Sequence, residues 1–429
     1  MIMNLTRRYF LKTSGALALY CGISPARALA EVGWNQNLVR PVRAGKTLVV
    51  IFLRGGMDGL NFIVPFADPG YYKLRKRLAI AEPGKEEGAL ALDDTFGLHP
   101  RAAVLLPLFQ SGQATALQAV GYAHNTRSHF EEQDVWETGV IGNTIQSDGW
   151  LNRHLLTSEG RGPIRAVSLG DTLPRILRGR APAVAMRGLE DLSLAASTPT
   201  EEAAMTAALE HAYCTEPGPE RSAALDLLAQ SAQITLEGTR QLREIIQTPY
   251  TPVAEYPNTN LGRQMREAAR LIKADLGVEV IEVDFGGWDT HQNQGSVQGG
   301  FGNLVQTLTE ALAAFTKDLE NRMDDVLVLT LSDFGRTAAE NGTGGTDHGW
   351  ANCMLVLGGP VLRANHGKAR PIAGQWPGLA KEQLHQGRDL FHTTDFRDVL
   401  GEVVSVHLGN SQLKAVLPGH TFKSVNVVG

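Results

Sequence analysis

Short apolar runs alternate with helical periodicities along most of this chain, and that alternation constrains its fold more than any other feature. Thr47–Leu53, Ala114–Val120, Ile164–Leu169, Val278–Phe285, Val326–Leu331 and Cys353–Leu357 are apolar stretches of strand length. A strand that is apolar on both faces has to be buried on both faces. Helical patterns lie between these runs, at Arg101–Gln110, Glu201–Tyr213, Ser222–Ile246, Leu261–Leu276 and Leu304–Arg322. Strands alternating with helices predict an α/β fold, with a mostly parallel central sheet sandwiched by helices. Residues 31–429 read as a single α/β domain. Within it, the stretch from about 189 to 274 is mainly helical and poor in chemically active side chains, and reads as an insertion.

Residues 1–30 form a separate unit. Thr6-Arg7-Arg8-Tyr9-Phe10-Leu11-Lys12 has the form of a twin-arginine export signal. The apolar run Ala16–Ile23 follows, then Ala28-Leu29-Ala30, a small-x-small cleavage site. That run is too short to span a bilayer, and no later segment is long and apolar enough to do so. The expectation is a chain handed folded to the twin-arginine translocase, cleaved near Glu31 and released in the periplasm. Loss of the signal's four basic residues takes the formal charge from −5 to about −9. That balance argues against nucleic acid, which needs a basic face. Only Cys214 and Cys353 then remain, and at that separation a free pair is a simpler reading than a disulfide. Proteins exported folded often carry a metal or cofactor loaded beforehand, which directs attention to clustered ligand residues.

In an open α/β sheet, ligands bind beyond the carboxyl ends of the strands. Polar motifs fall at those places here. Thr47–Leu53 runs into Arg54-Gly55-Gly56-Met57-Asp58-Gly59-Leu60-Asn61, and Val278–Phe285 into Gly286-Gly287-Trp288-Asp289-Thr290-His291-Gln292-Asn293. Val326–Leu331 runs into Ser332-Asp333-Phe334-Gly335-Arg336-Thr337, with Thr346-Asp347-His348-Gly349-Trp350 soon after. Asp58, Asp289, His291, Asp333, Asp347 and His348 are the candidate metal ligands. Carboxylates combined with imidazoles suit Zn²⁺ or Mn²⁺. A single Asp after a strand is usually a helix cap; it is the recurrence at several strand exits that points to a site.

A further segment, His124-Asn125-Thr126-Arg127-Ser128-His129-Phe130-Glu131-Glu132, follows strand Ala114–Val120 and leads into a helical pattern. Two readings of Ser128 stand side by side. As an N-cap, it would form a capping box with Glu131. As a nucleophile, it would sit where helix N–H groups favour an anion, activated by a neighbouring metal. Arg127 is a candidate for binding an oxyanion, and Arg54 and Arg336 are others. His99, His154 and His211 read as structural.

Together, Leu53-Arg54-Gly55-Gly56-Met57-Asp58-Gly59, Arg127-Ser128-His129-Phe130, Trp288-Asp289-Thr290-His291, Ser332-Asp333-Phe334-Gly335-Arg336-Thr337 and Thr346-Asp347-His348-Gly349 resemble the exported bacterial "domain of unknown function 1501" family. That family is placed in the alkaline-phosphatase and sulfatase superfamily. The resemblance implies an alkaline-phosphatase-like fold and a site of one or two divalent cations, zinc before manganese or calcium. It implies that Asp58 and Asp333 hold one ion beside the nucleophile Ser128, and that Asp289, His291 and His348 hold the other. The chain departs from the superfamily pattern at two points. Asp289 and His291 are two residues apart rather than four, and Phe334 stands where a histidine is expected, with Asp347 available to compensate. The function implied is a periplasmic metal-dependent hydrolase of phosphate or sulfate esters, acting on a small or polymer-borne anionic substrate. The alternative is a non-catalytic periplasmic binding or assembly protein that keeps the fold and one metal.

Overall fold

The computed structural model describes residues 45–142, 148–160, 164–188 and 249–429, with isolated positions at Thr200, Ala204 and Ala207. The export signal, the helices expected at 201–213 and 222–246, most of the 189–274 insertion, His211 and Cys214 lie outside the described residues.

The strands in chain order are β1 (Thr47–Leu53), β2 (Ile63–Val64), β3 (Leu90–Ala91), β4 (Gly97–Leu98), β5 (Ala114–Gly121), β6 (Ala166–Ser168), β7 (Val184–Ala185), β8 (Val280–Phe285), β9 (Val326–Ser332), β10 (Asn352–Gly358), β11 (Ile372–Ala373) and β12 (Thr394–Asp395). Nine of them make the main sheet, in the order β11-β5-β10-β9-β1-β8-β6-β7, with β12 beside β5. Every described pairing in it is parallel except those of β10, which runs antiparallel to both β5 and β9. β2, β3 and β4 form a small antiparallel sheet. Each long strand expected from the apolar runs is present, within two residues at either end.

β1 is central, between β8 and β9, and all seven of its residues are buried. Its side chains alternate between two cores, as the period-2 geometry of a strand requires. Val49, Ile51 and Leu53 face one; Leu48, Val50 and Phe52 face the other. The helices that cover these faces, and that matter below, are α1 (His129–Thr138), α2 (Trp150–Thr157), α3 (Asn260–Lys273), α4 (Gly300–Leu319) and α5 (Phe396–Glu402). α3 and α4 contribute Leu261, Met265, Phe301, Val305, Leu308 and Phe315 to the first core. α1, α2 and α5 contribute Trp136, Trp150, Leu151, Phe396, Val399 and Leu400 to the second. The result is a mixed α/β architecture with helices on both faces of a mostly parallel sheet. α3 shows why such a stretch is helical. Thr259 caps it by accepting from Gly262 N–H at 3.1 Å, its apolar residues recur on one face, and Arg270 and Lys273 close the last turn. Among the described residues, no helix is long and apolar enough to cross a membrane. Cys353 is a free, buried thiol on β10.

The C-terminal end is pinned by one carboxylate. Glu402, at the end of α5 and 1% exposed, accepts from Ser424 Oγ and from the backbone N–H groups of Val425 and Asn426 at 2.6–2.8 Å on one oxygen. Its other oxygen accepts from Val427 and Val428 N–H at 2.6 and 2.9 Å.

Two core histidines make the fold acid-sensitive. His99 accepts from Arg101 N–H through Nδ1 at 3.0 Å and donates Nε2–H to Ser296 O at 3.1 Å, which fixes it as neutral. His407 donates Nε2–H to Thr47 O at 2.9 Å. Burial lowers both to a pKa of about 4. The unfolded chain therefore takes up these protons first, and the folded state loses stability as pH falls from about 6.5 to about 4. Each histidine accounts for up to about 3 kcal/mol of that loss, at 1.36 kcal/mol per pKa unit. Urea denaturation of His407→Gln is expected to show a flatter pH dependence than the parent over that window; an unchanged slope would refute the assignment.

Candidate active site

Because β1, β5, β8 and β9 are parallel, their carboxyl ends share one edge of the sheet. β10, running the opposite way, begins at that same edge, so the residues preceding it arrive there too. The segment entering β10 pairs with the one leaving β9: Gly335 N–H donates to Trp350 O at 3.1 Å and Thr337 N–H to Asp347 O at 2.9 Å. This pairing sets Asp347 and His348 next to Asp333. Gly335 is needed for the approach, since a Cβ there would lie 1.8 Å from Ala351 O. Gly55 is needed as well: its φ is +115° and a Cβ would meet Asp289 N at 2.6 Å.

At the focus of these loops, three histidines surround one carboxylate oxygen. Asp289 Oδ1 lies 3.0 Å from His291 Nε2, 3.2 Å from His348 Nε2 and 3.5 Å from His129 Nε2. His291 Nε2 and His348 Nε2 are 2.9 Å apart. Each ring is anchored by its other nitrogen: His129 Nδ1 to Asp333 Oδ2 at 2.6 Å, His291 Nδ1 to Asp347 Oδ1 at 2.9 Å and His348 Nδ1 to Arg127 O at 2.8 Å. Outer partners of this kind fix the tautomer that leaves Nε2 as a lone-pair donor. His129, Asp289 and His348 lie within 4.8 Å of one another through their ligand atoms. Imidazoles with a carboxylate, their Nε2 atoms converging and their Nδ1 atoms already occupied, fit a borderline divalent cation such as Zn²⁺.

The surroundings set the charges. Burial alone would raise the Asp289 carboxyl, but the hydrogen bond and charge of Arg336, with His291 and His129, hold it at about 2. Asp333 is fully buried, which opposes ionisation. Hydrogen bonds from His129, from Gln133 at 2.9 Å and from Gly55 N–H at 3.0 Å outweigh that and keep it below the usual carboxylate range. The His291 hydrogen bond is the largest cause that lowers Asp347. Burial lowers His348, while the carbonyl of Arg127 counteracts part of the effect. Arg127 has a positive φ of 61°, a conformation that costs energy outside glycine and is over-represented at working sites. Its carbonyl is the group that holds His348.

A family model described as "Protein of unknown function (DUF1501)" matches residues 45–412. The chain belongs to the DUF1501 family. No curated protein matches the sequence. Among solved structures, the DUF1501 chain is similar to Ps i-CgsB in complex with k-i-k-neocarrahexaose, at 12% identity over 85% of this chain and 72% of that one, with a TM-score of 0.38. It is similar to a sulfatase from Pseudoalteromonas sp. at 12% identity, 76% and 64% coverage and a TM-score of 0.32. A Pyrococcus horikoshii protein matches at 14% identity, 73% and 86% coverage and a TM-score of 0.22. Likeness at these scores is loose and says nothing of this chain's activity.

In this DUF1501 chain, Asp289, His291 and His348 lie within 3.2 Å of one another through their facing atoms. Asp347 and Asp333 lie one layer out, each holding a histidine. Asp58 does not join them: it is buried in an ion pair with Arg75 at 2.6 Å. The missing partner of Asp333 comes from another segment. His129 meets Asp333, its ring packed on Phe334 with centroids 4.7 Å apart. Sequence reasoning missed His129 as a candidate ligand. The one available signal was an imidazole next to Ser128 at a helix start.

Ser128 occupies the N-cap position of α1, but its hydroxyl makes no capping bond and no box with Glu131 forms. The local bonding goes instead to Glu132, which accepts from Thr126 N–H, Thr126 Oγ and Tyr122 OH at 2.6–3.0 Å. None of the three arginines expected to bind anions is open for that role. Arg127 is paired with Asp389 at 2.7 Å. Arg54 joins Asp284 and Glu137, both at 2.7 Å. Arg336 is buried against the carbonyls of Gly55, Gly56, Trp288 and Thr346 and the Asp289 carboxylate.

Proposed function

We propose that this chain is an exported, metal-dependent hydrolase of phosphate or sulfate esters on an alkaline-phosphatase-like fold. The observation that carries the reading is the histidine arrangement: Nδ1 atoms tied outward, Nε2 atoms turned onto Asp289 Oδ1. Lone pairs of three Nε2 atoms turned onto one carboxylate oxygen repel each other, and a shared cation relieves that repulsion, with the outer Nδ1 partners being those of metal-bound imidazoles. His129, His291, His348 and Asp289 would hold it, with Asp333, Asp347 and the Arg127 carbonyl fixing the rings. When bound, such a cation supplies Lewis-acid stabilisation of ester oxygens and lowers the pKa of a nearby hydroxyl or water.

The chain's own residues supply the rest. Ser128 stands at the N-cap of α1 directly before His129, with a hydroxyl that caps nothing. The first-turn N–H groups of that ten-residue helix favour an anion at this end. Ser128 is the proposed nucleophile, held beside the metal by its neighbour in the chain. Ser128→Ala is expected to lower turnover by about a hundredfold or more with metal content unchanged. If Ser128 is only a cap, the variant loses about 1 kcal/mol of stability and keeps its activity. Thr126 is then the next hydroxyl to test.

The deciding experiment is a screen of aryl phosphates, aryl sulfates and phosphodiesters against protein loaded with Zn²⁺, Mn²⁺ or Ca²⁺. Turnover of one class supports the hydrolase. Metal binding without turnover of any class would leave a binding or assembly protein. Export is tested separately, since twin-arginine receptors read both arginines. Arg7→Lys together with Arg8→Lys is expected to leave the precursor in the cytoplasm, and normal periplasmic accumulation of that variant would exclude the route.

A further inference from the structure

The resemblance implies a site of one or two cations. We infer that this chain takes one, and that the buried guanidiniums of Arg75 and Arg336 supply the positive charge that a second would bring. The inference rests on the metal reading above and goes beyond it.

Asp58 and Asp333 are the carboxylates that the resemblance assigns to a second ion, and protein donors hold both. Asp58 Oδ2 receives Arg75 Nη1 and Gln294 Nε2, each at 2.6 Å, and neither Asp58 nor Arg75 exposes its side chain. Arg75 cannot swing aside. Its Nε donates to Ala338 O at 3.0 Å, its Nη2 to Thr337 O at 3.0 Å and its Nη1 also to Asn61 Oδ1 at 2.7 Å. Asn61 is itself fixed by Tyr71 OH at 2.7 Å and by its bond to Leu78 O at 2.8 Å. A dication on Asp58, even at its unpartnered Oδ1, would sit beside a permanent positive charge with no water to screen it. Asp333 is equally committed, with Gly55 N–H on Oδ1 and His129 and Gln133 on Oδ2.

Asp58 also has a structural task. Gln294, which donates to it, accepts from Thr290 Oγ at 2.9 Å and Thr346 Oγ at 2.7 Å. Thr290 lies between Asp289 and His291, and Thr346 directly precedes Asp347 and His348. The Arg75–Asp58–Gln294 chain therefore braces both ligand loops from behind, where a second metal would otherwise tie them.

The test is metal stoichiometry. The full-length protein is dialysed to equilibrium against Zn²⁺ and, separately, Mn²⁺, and bound metal is counted per chain by mass spectrometry. One equivalent is expected for the parent. Changing one partner alone would strand a buried charge and risk unfolding, so Asp58→Asn is combined with Arg75→Gln. That pair is expected to keep one equivalent, and His348→Ala to lose it. Two equivalents in the parent, or loss of metal in the folded Asp58/Arg75 pair, overturns the one-cation assignment while leaving the hydrolase reading in place. No metal in the parent overturns both.

Discussion

His348→Ala is expected to lose its bound cation and to melt about 4–8 °C below the metal-loaded parent. A ligand that binds only the folded chain at about a thousand times its Kd adds roughly 4 kcal/mol, and a domain of about 400 residues shifts about 1–2 °C per kcal/mol. His291→Ala and His129→Ala should behave alike. In EDTA the gap between parent and these variants should close, because the cation is then absent from both. Asp289→Ala should differ. Arg336 is buried and has Asp289 as its one carboxylate partner among the described residues, with that carboxylate about half exposed, so its removal costs about 1–2 kcal/mol after solvent screening. That deficit should persist in EDTA. Unchanged metal content in all four variants would remove the centre altogether.

The other large effect lies far from the site. Glu402→Ala removes the acceptor for Ser424 Oγ and for four backbone N–H groups, from Val425 to Val428. A buried donor left unpaired costs about 1–3 kcal/mol, and those that can turn to water will cost less. A net loss of about 3–5 kcal/mol is expected in urea denaturation, with hydrogen exchange at residues 425–428 rising to the rate of free chain. Protection retained there would show that the apolar contacts of Val427 and Val428 suffice.

Much of the fold was legible because burial on both faces writes a plain signal. β1 carries no polar residue after Thr47, and such a run can only be a central strand. The direction of β10 was not legible. Its Cys353–Leu357 run looks like any parallel strand, and only the short return from β9 through residues 333–351 makes it antiparallel. β7, β11 and β12 have two residues each, too few for any periodicity to register. At the site, Asp289, His291 and His348 were readable because each follows or precedes a strand at the shared edge. Asp58 looked the same by that criterion. What separates it is Arg75, on the far side of a helix and a loop, and no local pattern reports such a partner. His129 was hidden by its setting, since Ser-His-Phe-Glu-Glu reads as a capped helix start. The adjacent Phe130 is 89% exposed, so α1 begins with one ring facing inward and the next facing solvent.

The position of β1 has a consequence for how the chain comes into being. Its partners in the sheet are β8 and β9, and Leu53 O meets Ser332 Oγ, 279 positions further along the sequence. At the usual pace of about 5–20 residues per second, synthesis needs roughly 15–55 s to deliver β9 after β1 has emerged. During that interval Thr47–Leu53 is an uncharged, β-prone segment with no native neighbour, the kind of stretch that pairs with other chains. The site loops cannot meet until β8 and β9 have docked on β1, so a cation held by them would be captured late and would not nucleate folding. Export of a folded chain by the twin-arginine route would have to wait for that same step, which makes closure of the sheet around β1 the event that a holding chaperone would have to cover.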